Sequence, residues 1–197
     1  MPITEDLQDY LKLLSPRSKY VLVVPPFNVV PLSVAVARRI VVDEGRNVLY
    51  ICAGRPHIFP QKLFQRWEIP LKNIYFMDTI LYMKGPAPTE KLPPITAGKK
   101  EIKLPRVYRL FRVDQEVSSL SLSDVDVIIL DNITEFLHYN SLDDTLSFID
   151  TLHKPVAEMM KGFYIIMLNT PGYQKVLRPL KESGFVEASV PPELFSL

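Results

Sequence analysis

Alternation of apolar and amphipathic segments constrains the fold of this chain more than any other feature. Six segments have the length and apolar content of buried strands, and most of the stretches between them carry apolar residues at helical spacing. This alternation is typical of an α/β protein whose sheet is mainly parallel and covered on both faces. Because 47% of the 197 residues are hydrophobic, we predict one domain with a single core. The predicted strands are 20–24, 47–52, 73–77, 125–131, 163–168 and 185–190.

Capping residues and prolines define the predicted helices. Thr4 is expected to cap the first helix, and Pro31 suits the first position of a long, mostly apolar helix that ends before Gly45. Ser141 and Asp144 have the spacing of a capping pair. Pro155 is expected to stop or kink the helix that Ser141 begins, which would give two helical pieces before the next strand. The predicted helices after the first are 31–44, 61–67, 141–153 and 173–183.

The loop between the first strand and the following helix contains no glycine. Its sequence, Pro-Pro-Phe-Asn-Val-Val at residues 25–30, follows a strand and precedes a helix, where a phosphate-binding loop commonly lies. Such a loop needs glycines so that backbone N–H groups can approach the anion, and a lysine to neutralise its charge. Two prolines remove donors here, and Val29 and Val30 obstruct the approach. The sequence therefore indicates that phosphate binding at this loop has been lost.

The strand at 125–131 delivers a carboxylate at its end, Asp131. In nucleotide-dependent ATPases an aspartate at this place holds the water shell of Mg²⁺, and open α/β sheets bind ligands at this edge. A buried strand that ends in a polar turn residue is also common in α/β proteins without a site. Asp131 is thus either the remnant of a metal site or a residue that braces the turn.

Together these elements resemble the RecA-type ATPase core, especially its KaiC-like branch, over roughly residues 15–190. The resemblance rests on the strand 21–24, its loop and long helix, the strand 47–51 and the segment 127–135. It places Ala-Gly-Arg-Pro at 53–56 where the family has an acidic catalytic pair, and only Asp131 matches an expected chemical position. In the phosphate loop it puts Pro25, Asn28 and Val30 at the glycine positions, Pro31 at the lysine and Leu32 at the serine or threonine.

The resemblance implies a pseudo-ATPase that acts as a regulatory or scaffolding subunit and needs no cofactor. Asn28, Pro31 and Asp131 would then mark a vestigial nucleotide site without catalytic or metal-binding residues. RecA-type cores commonly assemble side by side, so we expect a homo-oligomer or a protein partner.

A proline-rich basic insertion interrupts the pattern at about residues 83–124. Between residues 84 and 112 there are eight lysines and arginines and two acids, a charge of +6, whereas the rest of the chain carries −5. We expect this surface to bind a protein partner or a second copy, with nucleic acid or a merely solvated loop as alternatives. The arginines share one face if the segment is helical and lie on both faces if it is extended. The candidate binding residues are Lys99, Lys100, Lys103, Arg106, Arg109 and Arg112.

Another class remains open, an enzyme that uses a nucleotide-like cofactor, such as an S-adenosylmethionine-dependent methyltransferase. The segment 180–187 resembles the end of such domains, although the first strand lacks the glycine-rich turn. His57, His138 and His153 have no metal-ligand spacing, so no zinc site is expected. Cys52 is predicted to be a buried structural thiol. No signal peptide or membrane span is predicted, and we expect a cytoplasmic protein that does not bind membranes.

Overall fold

Strands and helices alternate along the chain outside residues 74–131, whose described part contains seven strands and no α-helix. The computed structural model describes residues 3–15, 17–79, 92–104 and 108–195. The strands are β1 (Lys19–Val24), β2 (Val48–Cys52), β3 (Ile74–Asp78), β4 (Ile95–Ala97), β5 (Lys100–Ile102), β6 (Arg109–Arg112), β7 (Gln115–Glu116), β8 (Leu120–Ser121), β9 (Val127–Asp131), β10 (Gly162–Leu168) and β11 (Val186–Ser189). The helices are α1 (Glu5–Lys12), α2 (Val29–Arg38), α3 (Ile58–Arg66), α4 (Ile133–Leu137), α5 (Leu142–Glu158) and α6 (Gln174–Glu182).

A mixed eight-stranded sheet, ordered β11-β1-β10-β9-β2-β3-β6-β7, forms the centre of the α/β fold. The six strands from β11 to β3 in this order are parallel, and β6 and β7 are antiparallel additions at one edge. The six predicted strands are confirmed with ends that shift by at most two residues. The long apolar runs of the sequence thus predicted the positions of the parallel strands. They could do so because a strand that is buried on both faces of a sheet contains few polar residues.

Two hydrophobic clusters contain alternate residues of the central strands. Leu22 and Val24 of β1 belong to one cluster, and Val21 and Val23 belong to the other, since successive side chains of a strand point to opposite faces. Helices α1, α2 and α3 contribute to the first cluster, whereas α5 and α6 contribute to the second.

The predicted insertion contributes to the core. Its described part includes a small sheet ordered β5-β4-β8, and residues 83–91 and 105–107 lie outside the described residues. Ile95, Tyr108 and Leu120 are at most 4% exposed and belong to the second cluster. Removal of residues 99–112 would therefore take buried side chains and strand β6 out of the fold.

Helix α2 begins earlier than predicted. A 3-10 turn over Pro26–Asn28 leads directly into the helix, so that its first residue is Val29 and Pro31 is its third. Pro31 is tolerated there because the first four N–H groups of a helix have no intrahelical partner. After Arg38 the chain makes a π-helical turn over Arg39–Asp43, and Gly45 adopts the predicted left-handed conformation at φ +65°.

The predicted stop at Pro155, with two helical pieces, is wrong, since α5 continues through this proline to Glu158 as one helix. A proline inside a helix removes one backbone hydrogen bond. Here it lies in the last turn, between the buried residues Leu152 and Val156, whose packing holds the helix on the sheet. The predicted capping pair at the other end is confirmed: the Ser141 hydroxyl accepts from the Asp144 backbone N–H at 3.1 Å and donates to the Asp144 carboxylate at 2.8 Å.

Candidate functional site at the carboxyl edge of the sheet

The loop after β1, where a phosphate would bind in an ATPase, closes on itself. The Asn28 N–H donates to the Pro25 carbonyl at 3.0 Å, and Asn28 is 9% exposed. Phe27 between them is 91% exposed and faces away from the core. A closed turn without glycine thus occupies the place where a phosphate loop would present its N–H groups.

Asp131 contacts α2 through Ser33. The Ser33 hydroxyl oxygen lies 2.9 Å from Asp131 Oδ1 and 2.8 Å from the Val29 carbonyl oxygen, and Ser33 is 3% exposed. Tyr50, which is fully buried on the neighbouring strand β2, also hydrogen-bonds to Asp131. The carboxylate is therefore held by side chains of the protein at the place where the sequence suggested a metal-associated group.

The electrostatics of Asp131 reflect this enclosure. Burial raises the pKa of Asp131 above its ordinary value, and hydrogen bonds from Tyr50 and Ser33 offset part of the rise. The positive charge of Arg55 also lowers the pKa of Asp131. Arg55 stands where the resemblance expects an acid, and its guanidinium carbon lies 4.7 Å from the centre of the Phe59 ring.

Side chains fill the space beside Asp131. The cavity there has a volume of about 10 Å³ and is bounded by Val30, Ser33, Tyr50, Arg55 and Phe64. Ligand pockets commonly have about 300–1,000 Å³, and a single water needs about 10–15 Å³. Of the predicted vestigial residues, Asn28 and Pro31 do not border this cavity, and Pro31 borders a separate groove between α2 and α3.

A second pair of polar residues, His57 and Asp78, was missed by the sequence analysis. Asp78 ends β3 and pairs in register with Cys52, which in turn pairs with Asp131 across β2 and β9. Asp78 accepts from the His57 backbone N–H at 2.6 Å, and its other oxygen lies 2.7 Å from His57 Nδ1. The sequence signal that could have identified this pair is the aspartate at the end of β3, which resembles Asp131 at the end of the segment 125–131.

The His57–Asp78 pair connects α3 to the added strand β6. The His57 ring stacks on Phe111 with centroids 3.7 Å apart, and Asp78 is fully buried. Cys52 is 1% exposed, as predicted, and burial raises the pKa of its thiol well above the ordinary value, with the Asp78 charge adding to the rise. The thiol is therefore protonated at neutral pH, which makes it a poor nucleophile.

The predicted basic site is divided between two sheets. Lys99, Lys100 and Lys103 are exposed on the β4–β5 hairpin of the small sheet, and Arg106 lies outside the described residues. Arg109 and Arg112 lie on β6 in extended backbone, not on a helix. They therefore point to opposite faces of the main sheet.

The arginines of β6 have partners within the protein. Arg109 lies 3.9 Å from Glu116. Arg112 donates to the Tyr75 hydroxyl at 3.1 Å and to the Lys72 carbonyl, and it lies over the Tyr75 ring. Tyr108 donates to the Pro93 carbonyl and Phe111 packs on His57, so neither aromatic ring is presented for base stacking.

No protein-family profile matches the chain, and no curated protein shows significant similarity to it. Among the described residues, no group of three His, Cys, Asp or Glu side chains could hold a metal ion. Across the same part of the chain, no helix combines the length and apolar content that a membrane span requires.

Proposed function

We propose that this chain is a RecA/KaiC-like pseudo-ATPase that acts as a regulatory or scaffolding interaction subunit. The observation that carries the proposal is the packing around Asp131. Ser33 and Tyr50 hydrogen-bond to its carboxylate, and the cavity that remains beside it has a volume of about 10 Å³. A magnesium nucleotide needs a cradle of backbone donors, a lysine and a metal-binding hydroxyl. The closed turn at Pro25 and Asn28 provides none of these.

Thermal unfolding with and without ligands tests this proposal. A ligand that binds only the folded state raises its apparent stability in proportion to ln(1 + [L]/Kd). We expect no saturable shift with magnesium–ATP, ADP or S-adenosylmethionine beyond that of inorganic tripolyphosphate, which controls for attraction of polyanions to lysines. A saturable shift with magnesium–ATP, accompanied by phosphate release that Asp131→Ala abolishes, would contradict the pseudo-ATPase. A shift with S-adenosylmethionine alone would favour the methyltransferase alternative.

Nucleic acid binding is the second candidate, and the three exposed lysines of the β4–β5 hairpin favour it. Glu101 is exposed among them, which limits the local charge. Three phosphate contacts to a single strand predict a slope of log Kobs against log salt of about −2. Binding of a fluorescent single-stranded oligonucleotide should then lose about 0.7 unit of slope in Lys99→Gln. An affinity that is independent of salt, or unchanged in this variant, would argue against the candidate.

A further inference from the structure

A pocket lies between α5 and α6, and Phe185, which precedes β11, also lines it. Its volume is about 340 Å³, and sites for small molecules commonly have about 300–1,000 Å³. Apolar side chains from both helices form one part of the lining, and polar side chains from the same helices complete it. The apolar part includes Leu146, Ile149, Leu180 and Phe185. The pocket therefore offers an apolar surface with a few polar groups, the usual character of a ligand site.

The pocket lies at the end of the strands opposite to Asp131. Lys19, the first residue of β1, contacts His153 in the pocket wall, whereas Asp131 is the last residue of the parallel strand β9. Lys19 also lies against the turn after α6, because a Cβ atom added to Gly184 would lie 3.1 Å from its ammonium nitrogen. The ammonium group is thus held beside lining residues from both sides of the pocket.

Two basic side chains meet at this wall. Lys19 Nζ lies 2.7 Å from His153 Nε2 and 5.9 Å from the centre of the Phe185 ring. Among the described residues, no carboxylate forms an ion pair with Lys19. An ammonium group can only donate, so Nε2 accepts and the neutral ring carries its proton on Nδ1. Burial, and then the charge of Lys19, lower the pKa of His153, which agrees with a neutral ring at pH 7.

The second ring nitrogen of His153 is a donor without a partner in the described part of the protein. His153 is 9% exposed and lines the pocket. Its Nδ1 is not among the fully enclosed polar atoms that lack a partner, so the N–H is accessible from the space that the ring borders. The charge of Lys19 polarises this N–H through the ring. A hydrogen bond from it to an anionic acceptor would be stronger than one to a neutral acceptor.

The other polar groups of the pocket favour a ligand with a single negative charge. Ser147 and Ser183 are exposed at the rim, where their hydroxyl groups can donate. Asp150 also lines the pocket, but its carboxylate lies 2.6 Å from Lys154, which compensates its charge. One negative charge is attracted by Lys19 and tolerated beside this ion pair. A doubly charged phosphate would be repelled more strongly by Asp150.

We propose that the pocket between α5 and α6 binds a small monocarboxylate with an apolar body. The apolar body lies among Leu146, Leu180 and Phe185, and one carboxylate oxygen accepts from His153 Nδ1–H. Lys19 is a positioning residue: its bond to Nε2 holds the ring in the tautomer that can donate on the other side. The site is independent of the proposed pseudo-ATPase function, because it lies at the other end of the strands.

Isothermal titration calorimetry of the full chain with phenylacetate at pH 7 tests the site. We expect a Kd of about 1 mM or below, as suits a ligand of this size. Phenylacetamide lacks the charge, phenyl phosphate carries a second one and acetate lacks the apolar body, so each should bind about tenfold or more weakly. Equal affinities for phenylacetate and phenylacetamide would overturn the inference, as would the absence of binding up to about 10 mM phenylacetate.

Two substitutions test the assigned residues in different ways. Lys19→Met should raise the Kd of phenylacetate about fivefold or more but leave that of phenylacetamide nearly unchanged, because only the acid responds to the lost charge. Ser183→Trp places a large side chain over the pocket from an exposed position and should abolish binding of both ligands. Lys175→Met is the matched control, since it removes an exposed lysine of α6 that does not line the pocket. Equal effects of Lys19→Met and Lys175→Met would overturn the assignment.

Amide NMR spectra locate the bound ligand. Phenylacetate should shift the resonances of Ser147, Leu180 and Ser183 and leave those of Asn28 and Asp131 in place. Shifts confined to Asn28 and Asp131 would overturn the site. Failure here would leave the pseudo-ATPase proposal untouched, because that proposal is tested with magnesium–ATP at the opposite end of the sheet. Circular dichroism confirms that each variant is folded.

Discussion

The hydrogen bond from Ser33 to Asp131 gives the most direct test of whether this carboxylate braces the fold. Ser33 is 3% exposed and its hydroxyl oxygen lies 2.9 Å from Asp131 Oδ1, so Ser33→Ala leaves little void but removes a donor from an enclosed carboxylate. Bonds to charged groups contribute about 1.5–3 kcal/mol, and we expect Ser33→Ala to lower the free energy of unfolding by about this amount. For a chain of this length that corresponds to a fall in Tm of about 4–10 °C.

A double-mutant cycle isolates the pair. Asp131→Asn keeps an acceptor but removes the charge, so Ser33→Ala in that background should cost only about 0.5–1.5 kcal/mol, which predicts a coupling of about 1–2 kcal/mol. Urea denaturation at pH 7, monitored by circular dichroism, measures the free energy of unfolding of the wild type, the two single variants and the double variant. Ser147→Ala, at an exposed position of α5, is the control and should change stability by less than about 0.5 kcal/mol.

Two outcomes would refute the bracing role of Asp131. Unchanged stability in Ser33→Ala would mean that the hydroxyl and carboxylate do not depend on each other. Stabilisation of the wild type by Mg²⁺ that disappears in Asp131→Asn would mean that the carboxylate binds metal.

Two further predictions concern other buried contacts. The Lys161 ammonium donates to the carbonyls of Leu122, Ser123 and Val125, so Lys161→Met should cost about 2–4 kcal/mol in urea denaturation because three acceptors lose a charged donor. Lys154→Met, which removes only an exposed i,i+4 ion pair, should cost about 0.5 kcal/mol or less, and equal losses would show that the three carbonyls contribute nothing. Burial and then the charge of Lys19 lower the pKa of His153, whose Nε2 lies 2.7 Å from Lys19 Nζ. The unfolded chain therefore takes up a proton near pH 6.5 that the folded protein binds only at lower pH, and Tm should fall as pH drops below 6.5. His153→Gln should flatten this dependence, and a Tm that falls equally steeply in the variant would exclude His153 as its source.

The parallel part of the sheet could be predicted from sequence because each of its strands is a local signal. Segments such as 125–131 and 163–168 are mainly apolar and short, which predicts strands buried inside the protein. The strands of the small sheet are two or three residues long, and this is too short for a two-residue period to appear. The spacing of Arg109 and Arg112 fits a helix or a strand equally well, and only the pairing of β6 with β3 decides between them.

The contacts of the candidate site could not be predicted because they depend on strand order. Ser33, Tyr50 and Asp131 are distant in sequence and meet only because β2 lies beside β9 with Cys52 opposite Asp131. The same applies to His57 and Asp78, which are 21 residues apart. The absence of glycine in the sequence predicted that this loop does not bind phosphate, whereas the packing of side chains beside Asp131 could be seen only in the fold.

The small cavity beside Asp131 also bears on how assembly of this chain could be controlled. A ligand shifts an equilibrium between two states only by the difference in its affinity for them. Under the proposed pseudo-ATPase function, the space of about 10 Å³ gives a nucleotide no such difference in affinity, and a cycle of binding and hydrolysis would not drive this edge of the sheet between conformations. Association of such an interaction subunit with its partner would then follow mass action alone, rising and falling with the concentrations of the two.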